Sequence, residues 1–335
     1  MLSFRLPAPS FRVLTSLARP PAFTPAPILT RARSTMSFSN STPLLVTPAT
    51  LKELPPSKTV PVDATWFMPN VDRVALKEYI ARRIPRARYL DLDEVASPHP
   101  LGLKHMMPDA ETFKAACERL GIEPNSHVVL YDSHGIFSSP RALFMFKAFG
   151  HERASVLDGG LPRWEDEGFE IESGEPQPVE KTSYPLPTLG SNWVRNYSQI
   201  VSNSLTDPTS SELVLDARSK GRFTGTDPEP RPSLSSGHIP NSRSLPFNTL
   251  LATNISKKTS APYTTLLPRE ELRKAFDAAG VDGTRNVVNS CGSGMTAGVL
   301  WLALQRLGVS SAIYDESWTG YASRDESRII KGEKY

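Results

Sequence analysis

The feature that most constrains this chain is a repeat of its own pattern at about one domain's length. "KTVPVDATWFMP" from residue 58 is answered by "ELVLDARSKGRF" from residue 212, each a short apolar strand ending in Asp-Ala. "ARRIPRARYLDLD" from 81 is answered by "SGHIPNSRSLPFN" from 236, and "ASVLDGGLPRW" from 154 by "SAIYDESWTGY" from 311. "ETFKAACERLGIEPNSHVVLYD" from 111 matches "ELRKAFDAAGVDGTRNVVNSC" from 271, and both read as amphipathic helix, glycine stop and apolar strand. Equivalent landmarks lie 153 residues apart at Asp63 and Asp216 and 159 apart at Asp132 and Cys291. That period is too long for a solenoid and suits two copies of one domain. Alternating short strands and helices predict an α/β fold in which each copy is a mainly parallel sheet with helices on both faces. The copies span residues 42–172 and 193–330, and residues 173–192, rich in Pro and Ser with no apolar period, form the linker.

Ligands of such sheets bind beyond the carboxyl ends of the strands. Cys291 stands at one such end, after "NVVNS", and leads through two glycines into a helical pattern. A turn containing Gly292 and Gly294 lets successive amides point at whatever the sulfur carries, and the following helix start adds positive potential. Both effects favour the thiolate, the nucleophilic form of cysteine. A cysteine kept only for packing would have apolar neighbours, as Cys117 has within "ETFKAACERL". In the first copy the equivalent position is Asp132, so thiol chemistry is confined to the second. A phosphate-gripping arginine, which cysteine phosphatases need late in this loop, is absent: Ala297 stands there.

Composition narrows the remaining classes. The two cysteines exclude a disulfide scaffold and any four-thiolate metal site, and the six histidines have no paired ligand spacing, so neither metal nor cofactor is expected. Residues 1–52 contain no Asp or Glu, while Arg5, Arg12, Arg19, Arg31 and Arg33 punctuate a stretch rich in Ser, Thr, Leu and Phe. This is the composition of a mitochondrial transit peptide over residues 1–35, and initiation at Met36 would yield a cytoplasmic form. Without those five arginines the formal charge falls from +3 to −2, so the basic balance implies no direct nucleic-acid partner. No apolar run reaches the ~18 residues needed to cross a bilayer, and no membrane association is expected.

Several motifs together resemble the tandem-domain rhodanese family: "YDSHGIFSSPRA" at 131, "LDGGLPRW" at 157, "GRFTGTDPEPRP" at 221, "SGHIPNSRSLPF" at 236 and "CGSGMTA" at 291. The resemblance covers about residues 42–328. It implies two rhodanese-like domains, the first an inactive copy that helps to wall the site, and a Cys291 persulfide as the sulfur carrier. Thiosulfate-specific members resemble a loop with two cations after the cysteine, where this chain has Gly292 and Ser293. The neutral loop suits 3-mercaptopyruvate, whose carboxylate and carbonyl the family holds with arginines that match Arg222 and Arg231. The resemblance also implies a Ser/His/Asp proton relay that matches Ser293, His105 and Asp93, with Asp91 the competing carboxylate. Gly292, Gly294, Met295 and Thr296 complete the loop around the sulfur, with the Thr296 hydroxyl steadying the loop or the sulfur.

The implied partners are a small-molecule sulfur donor and thioredoxin or another thiol acceptor. Two alternatives share the cysteine: a thiosulfate sulfurtransferase, and a relay taking persulfide from a desulfurase and feeding a ubiquitin-like sulfur carrier for tRNA thiolation. Met295, where the family usually has Val, and "YDESWTGY" at 314 depart from its pattern.

Overall fold

The computed structural model describes residues 42–333 together with positions 1–4, 7 and 10. The five arginines of the expected leader and Met36 lie outside the described residues.

The first copy runs β1 (Leu45–Val46), α1 (Pro48–Glu53), β2 (Thr59–Asp63), α2 (Ala75–Ala81), β3 (Arg88–Tyr89), α3 (Ala110–Arg119), β4 (His127–Tyr131), α4 (Ser139–Ala148), β5 (Ala154–Leu157) and α5 (Gly160–Asp166). The second runs β6 (Val194–Arg195), α6 (Tyr197–Leu205), β7 (Leu213–Asp216), α7 (Lys220–Thr224), β8 (Arg243–Ser244), β9 (Leu251–Ile255), β10 (Pro262–Leu266), α8 (Arg269–Ala278), β11 (Val287–Ser290), α9 (Ala297–Leu307), β12 (Ser311–Tyr314) and α10 (Ser317–Ala322). Strand order is β1-β5-β4-β2-β3 in one sheet and β6-β12-β11-β7-β8 in the other. The two are the same topology, and every pairing within them is parallel.

Local chemistry explains the elements. β4 and β11 are buried along their whole length, which is why "HVVLY" and "VVNS" show no in-out alternation. Asp109 caps α3 by accepting from the Thr112 amide, and Asn196 with Gln199 forms a capping box on α6. Gly308, in the left-handed region, ends α9.

The α4 helix is buried along its whole length and α9 at all but Gln305 and Arg306, because each lies between its own sheet and the other helix. A Cβ on Gly298 would lie 2.7 Å from the Arg141 backbone nitrogen, so the two helices touch almost backbone to backbone. The Phe144 and Trp301 rings meet edge to face at 5.3 Å, and one apolar core contains residues from both sheets.

Two features depart from the image of two beads on a string. The segment expected as a linker is laid along the first copy: the Thr182 hydroxyl donates to the Ile122 carbonyl, and the Tyr184 hydroxyl bonds His151 at 2.8 Å. The antiparallel hairpin β9–β10 has no counterpart in the first copy. Asp166 of the first copy holds its turn, accepting from Ser256 Oγ and the Lys257 and Lys258 amides, while the Thr264 amide donates to the His134 carbonyl. No helix among the described residues is long and apolar enough to cross a membrane.

Divergence between the copies carries a stability prediction. Asp216 is chelated by Arg218, whereas the equivalent Asp63 has Thr65 two positions on and accepts from the Thr65 amide at 2.9 Å. Burial, reinforced by nearby Asp132, pushes Asp63 up from 3.8 to about 6. Its folded-state value lies above the unfolded one, so the protein loses stability as pH rises from about 4 to 6 and stays penalised above that. Asp63→Asn keeps the acceptor and removes the charge. It is expected to stabilise by up to about 3 kcal/mol at pH 7.5, with the gain vanishing near pH 4; urea titrations at the two pH values check this.

Candidate active site

The site lies where the carboxyl ends of β7 and β11 face a loop of the first copy. Cys291 follows β11 directly and is 1% exposed. Its Sγ accepts from the Gly294 amide at 3.2 Å. Gly294 has φ +87°, and a Cβ there would stand 2.8 Å from the Asp315 carbonyl oxygen, so only glycine presents this amide to the sulfur without strain. Ser317 Oγ accepts from the Cys291 amide at 3.1 Å, and the Trp318 and Thr319 amides each donate at 2.9 Å to the Cys291 and Gly292 carbonyls. Ser293 and Met295 are buried and Thr296 is half-buried.

Arg222 and Arg231 cover the open side of this loop. Arg222 Nη2 lies 3.2 Å and Arg231 Nη1 3.4 Å from where a Gly292 Cβ would be. Arg222 grips Glu229 through two nitrogens, at 3.1 and 2.6 Å, and Glu229 also accepts from Arg218 at 2.7 Å. Arg231 has no ion-pair contact of its own among the described residues. Burial pulls its guanidinium below the ordinary arginine value, against the opposing pull of Cys291, Glu229 and Asp93. A half-buried cation without a contact partner beside a thiol gives this side of the loop a positive potential.

The first copy supplies the imidazole. His105 is buried, and its Nδ1 is 2.7 Å from Asp93 Oδ1. Asp93 Oδ2 accepts from Trp66 Nε1 at 3.1 Å. Burial works against the Asp93 charge, but the bonds from His105 and Trp66 outweigh it and hold the carboxyl below its usual range. An ionised carboxylate only accepts, so Nδ1 carries the proton and Nε2, buried without a protein partner, is left to exchange one. Asp91 instead accepts from the Asp93 and Glu94 amides, so the carboxylate bonded to His105 is that of Asp93.

The equivalent loop of the first copy is chemically closed. Asp132 Oδ2 accepts from the amides of Phe137, Ser138 and Ser139 and from Ser139 Oγ, and Oδ1 accepts from the His134 amide. The amides of that turn are consumed by the chain's own carboxylate.

A family model described as the rhodanese-like domain matches residues 65–167 and again residues 199–324. The chain belongs to the rhodanese family. Among its relatives, a probable 3-mercaptopyruvate sulfurtransferase of Schizosaccharomyces pombe is 40% identical over 280 residues, covering 82% of this chain and 91% of that protein. A mitochondrial thiosulfate/3-mercaptopyruvate sulfurtransferase of Arabidopsis thaliana is 40% identical over 319 residues, covering 88% and 80%. The crystal structure of the 3-mercaptopyruvate sulfurtransferase SseA from Escherichia coli superposes with a TM-score of 0.69 at 30% identity, covering 83% of this chain and 99% of that one.

Within this rhodanese fold, Cys291, Gly294, Arg222 and Arg231 converge on one loop, and His105 meets Asp93. The Ser293 hydroxyl makes no hydrogen bond to either among the described residues, and Thr296 does not hold the loop as expected; Ser317 and Thr319 do, the latter through Oγ1 to the Gly292 carbonyl at 2.6 Å. Those two stand in "YDESWTGY". Sequence reasoning missed Glu229 and Arg218 as well. Glu229 lies inside the quoted "GRFTGTDPEPRP", where the need of Arg222 for a fixed counter-charge was the available signal.

Proposed function

We propose that this chain is a 3-mercaptopyruvate sulfurtransferase that works by double displacement through Cys291. The reading rests above all on the placement of two guanidinium groups over an uncharged cysteine loop. His105 Nε2 takes the Cys291 proton, with Ser293 as the relay hydroxyl, and the thiolate attacks the sulfur of 3-mercaptopyruvate. The carbon–sulfur bond breaks with its electron pair on carbon, the sulfur and its proton stay as the Cys291 persulfide, and His105 returns its proton to the carbon to give pyruvate. Arg222 and Arg231 hold the carboxylate and carbonyl, and the Gly294 amide steadies the sulfur. A second thiol, of thioredoxin or a small molecule, then removes the outer sulfur. The acid-free, arginine-punctuated residues 1–35 and the likeness to a mitochondrial relative support a mitochondrial address.

Pyruvate release from 3-mercaptopyruvate with a reduced thiol, run beside thiosulfate with cyanide, tests the donor. The first is expected to dominate, and Ser293→Lys, by adding a cation to the loop, to move the ratio toward thiosulfate by about tenfold. Dominance of thiosulfate in the unaltered protein would reject the carboxylate role of the arginines. Persulfide uptake from a desulfurase, with neither small donor reacting, would make the chain a relay.

A further inference from the structure

His105 is carried by one rhodanese-like domain and Cys291 by the other, so their registry must be set by something that spans the boundary. His105 has φ +46°, in the left-handed region that a side chain with a Cβ rarely occupies. Such a residue keeps that conformation only when its surroundings hold it. Beside the Asp93 bond to its ring, two groups hold the backbone of its segment. Arg141 Nη2 donates to the His105 carbonyl at 2.9 Å, and Asp315 Oδ2 accepts from the Met107 amide at 2.8 Å. The two are themselves paired, Arg141 Nη2 to Asp315 Oδ1 at 2.6 Å, with the Arg141 side chain 0% exposed.

The same pair abuts the cysteine loop. Arg141 Nη1 is 3.5 Å and the Asp315 carbonyl oxygen 2.8 Å from where a Gly294 Cβ would be, and Gly294 is the residue whose amide meets the sulfur. Arg141 Nε and Nη1 are buried with no acceptor. A buried ion pair is weak as a stability device, which argues that position, not stability, is what this one supplies.

We propose that the Arg141–Asp315 pair is a positioning device that registers His105 of the first domain against the Cys291 loop of the second. This rests on the role proposed above for His105, and the chemistry gives it a discriminating consequence. Sulfur loss from 3-mercaptopyruvate leaves an electron pair on carbon that must be protonated. Sulfur loss from thiosulfate breaks a sulfur–sulfur bond and releases sulfite, which keeps the pair and needs no proton on carbon. A misplaced His105 therefore penalises the first donor more than the second.

Single-turnover persulfide loading of the full chain from each donor, followed by mass spectrometry, provides the test. Asp315→Asn is near-isosteric and keeps an acceptor for Met107, and Arg141→Met removes the guanidinium. Both are expected to slow loading from 3-mercaptopyruvate about tenfold or more beyond any change with thiosulfate, and His105→Asn about 10²-fold. Arg141→Lys, which restores the charge, is expected to recover part of the loss. Equal loss on both donors in Asp315→Asn and Arg141→Lys, with His105→Asn selective, would overturn the positioning role alone. Equal loss in His105→Asn would remove the proton-donor reading and the inference with it.

Discussion

Replacing Cys291 with serine is expected to abolish sulfur transfer from both donors, a loss of at least about 10⁴-fold. Serine fits the same buried place and still accepts from the Gly294 amide, so the fold has no reason to change. Its hydroxyl ionises far less readily and carries no transferable sulfur. Cys117, the other thiol of the chain, cannot substitute: it is buried in α3 among apolar side chains, and burial pushes its thiol up. Steady-state pyruvate release, paired with mass spectrometry for retained sulfur, measures the effect. Residual turnover within tenfold of the parent would place the carrier sulfur elsewhere.

The second large effect separates the two arginines. Arg231→Lys is expected to reduce kcat/KM for 3-mercaptopyruvate by about 10- to 100-fold, because an ammonium offers a point charge where a planar fork grips a carboxylate. Its melting temperature should stay at the parent value, since Arg231 has no ion-pair contact to lose. Arg222→Met is expected to cost a similar factor in catalysis and also about 1–3 kcal/mol of stability, because Glu229, with its side chain 1% exposed, loses the partner of Oε2. Kinetics and thermal melts on the same preparations read both. An Arg231→Lys enzyme with unchanged kcat/KM would show that the carboxylate binds elsewhere.

Much of the site was legible because its chemistry is local. The strand-cysteine-glycine-helix order fixes where a thiol stands and which amides can reach it, and "GRFTGTDPEPRP" brings both arginines within one loop. His105 was named through likeness to a family, and its choice of Asp93 over Asp91 depended on which carboxylate the chain's path turned inward. Glu229 was missed although Arg222 needs a counter-charge, because its buried bonds to Arg222 and Arg218 are not revealed by spacing alone. Ser317 and Thr319 were missed for the matching reason: proximity along the chain pointed to Thr296, while these two, more than twenty residues on, bond the loop.

By itself the sequence determined that two like domains are built, each a parallel sheet between helices, and that only the second ends its central strand in a thiol. Those follow from apolar periodicity and from residue identity at strand ends, which are properties of short segments. Only the tertiary structure decided that the two copies share one core through α4 and α9, that the β9–β10 hairpin reaches across to the first copy, and that Arg141 and Asp315 bind the His105 segment. Each of these depends on groups more than a hundred residues apart or on which faces are buried together, and burial between distant segments is settled only when the whole chain packs.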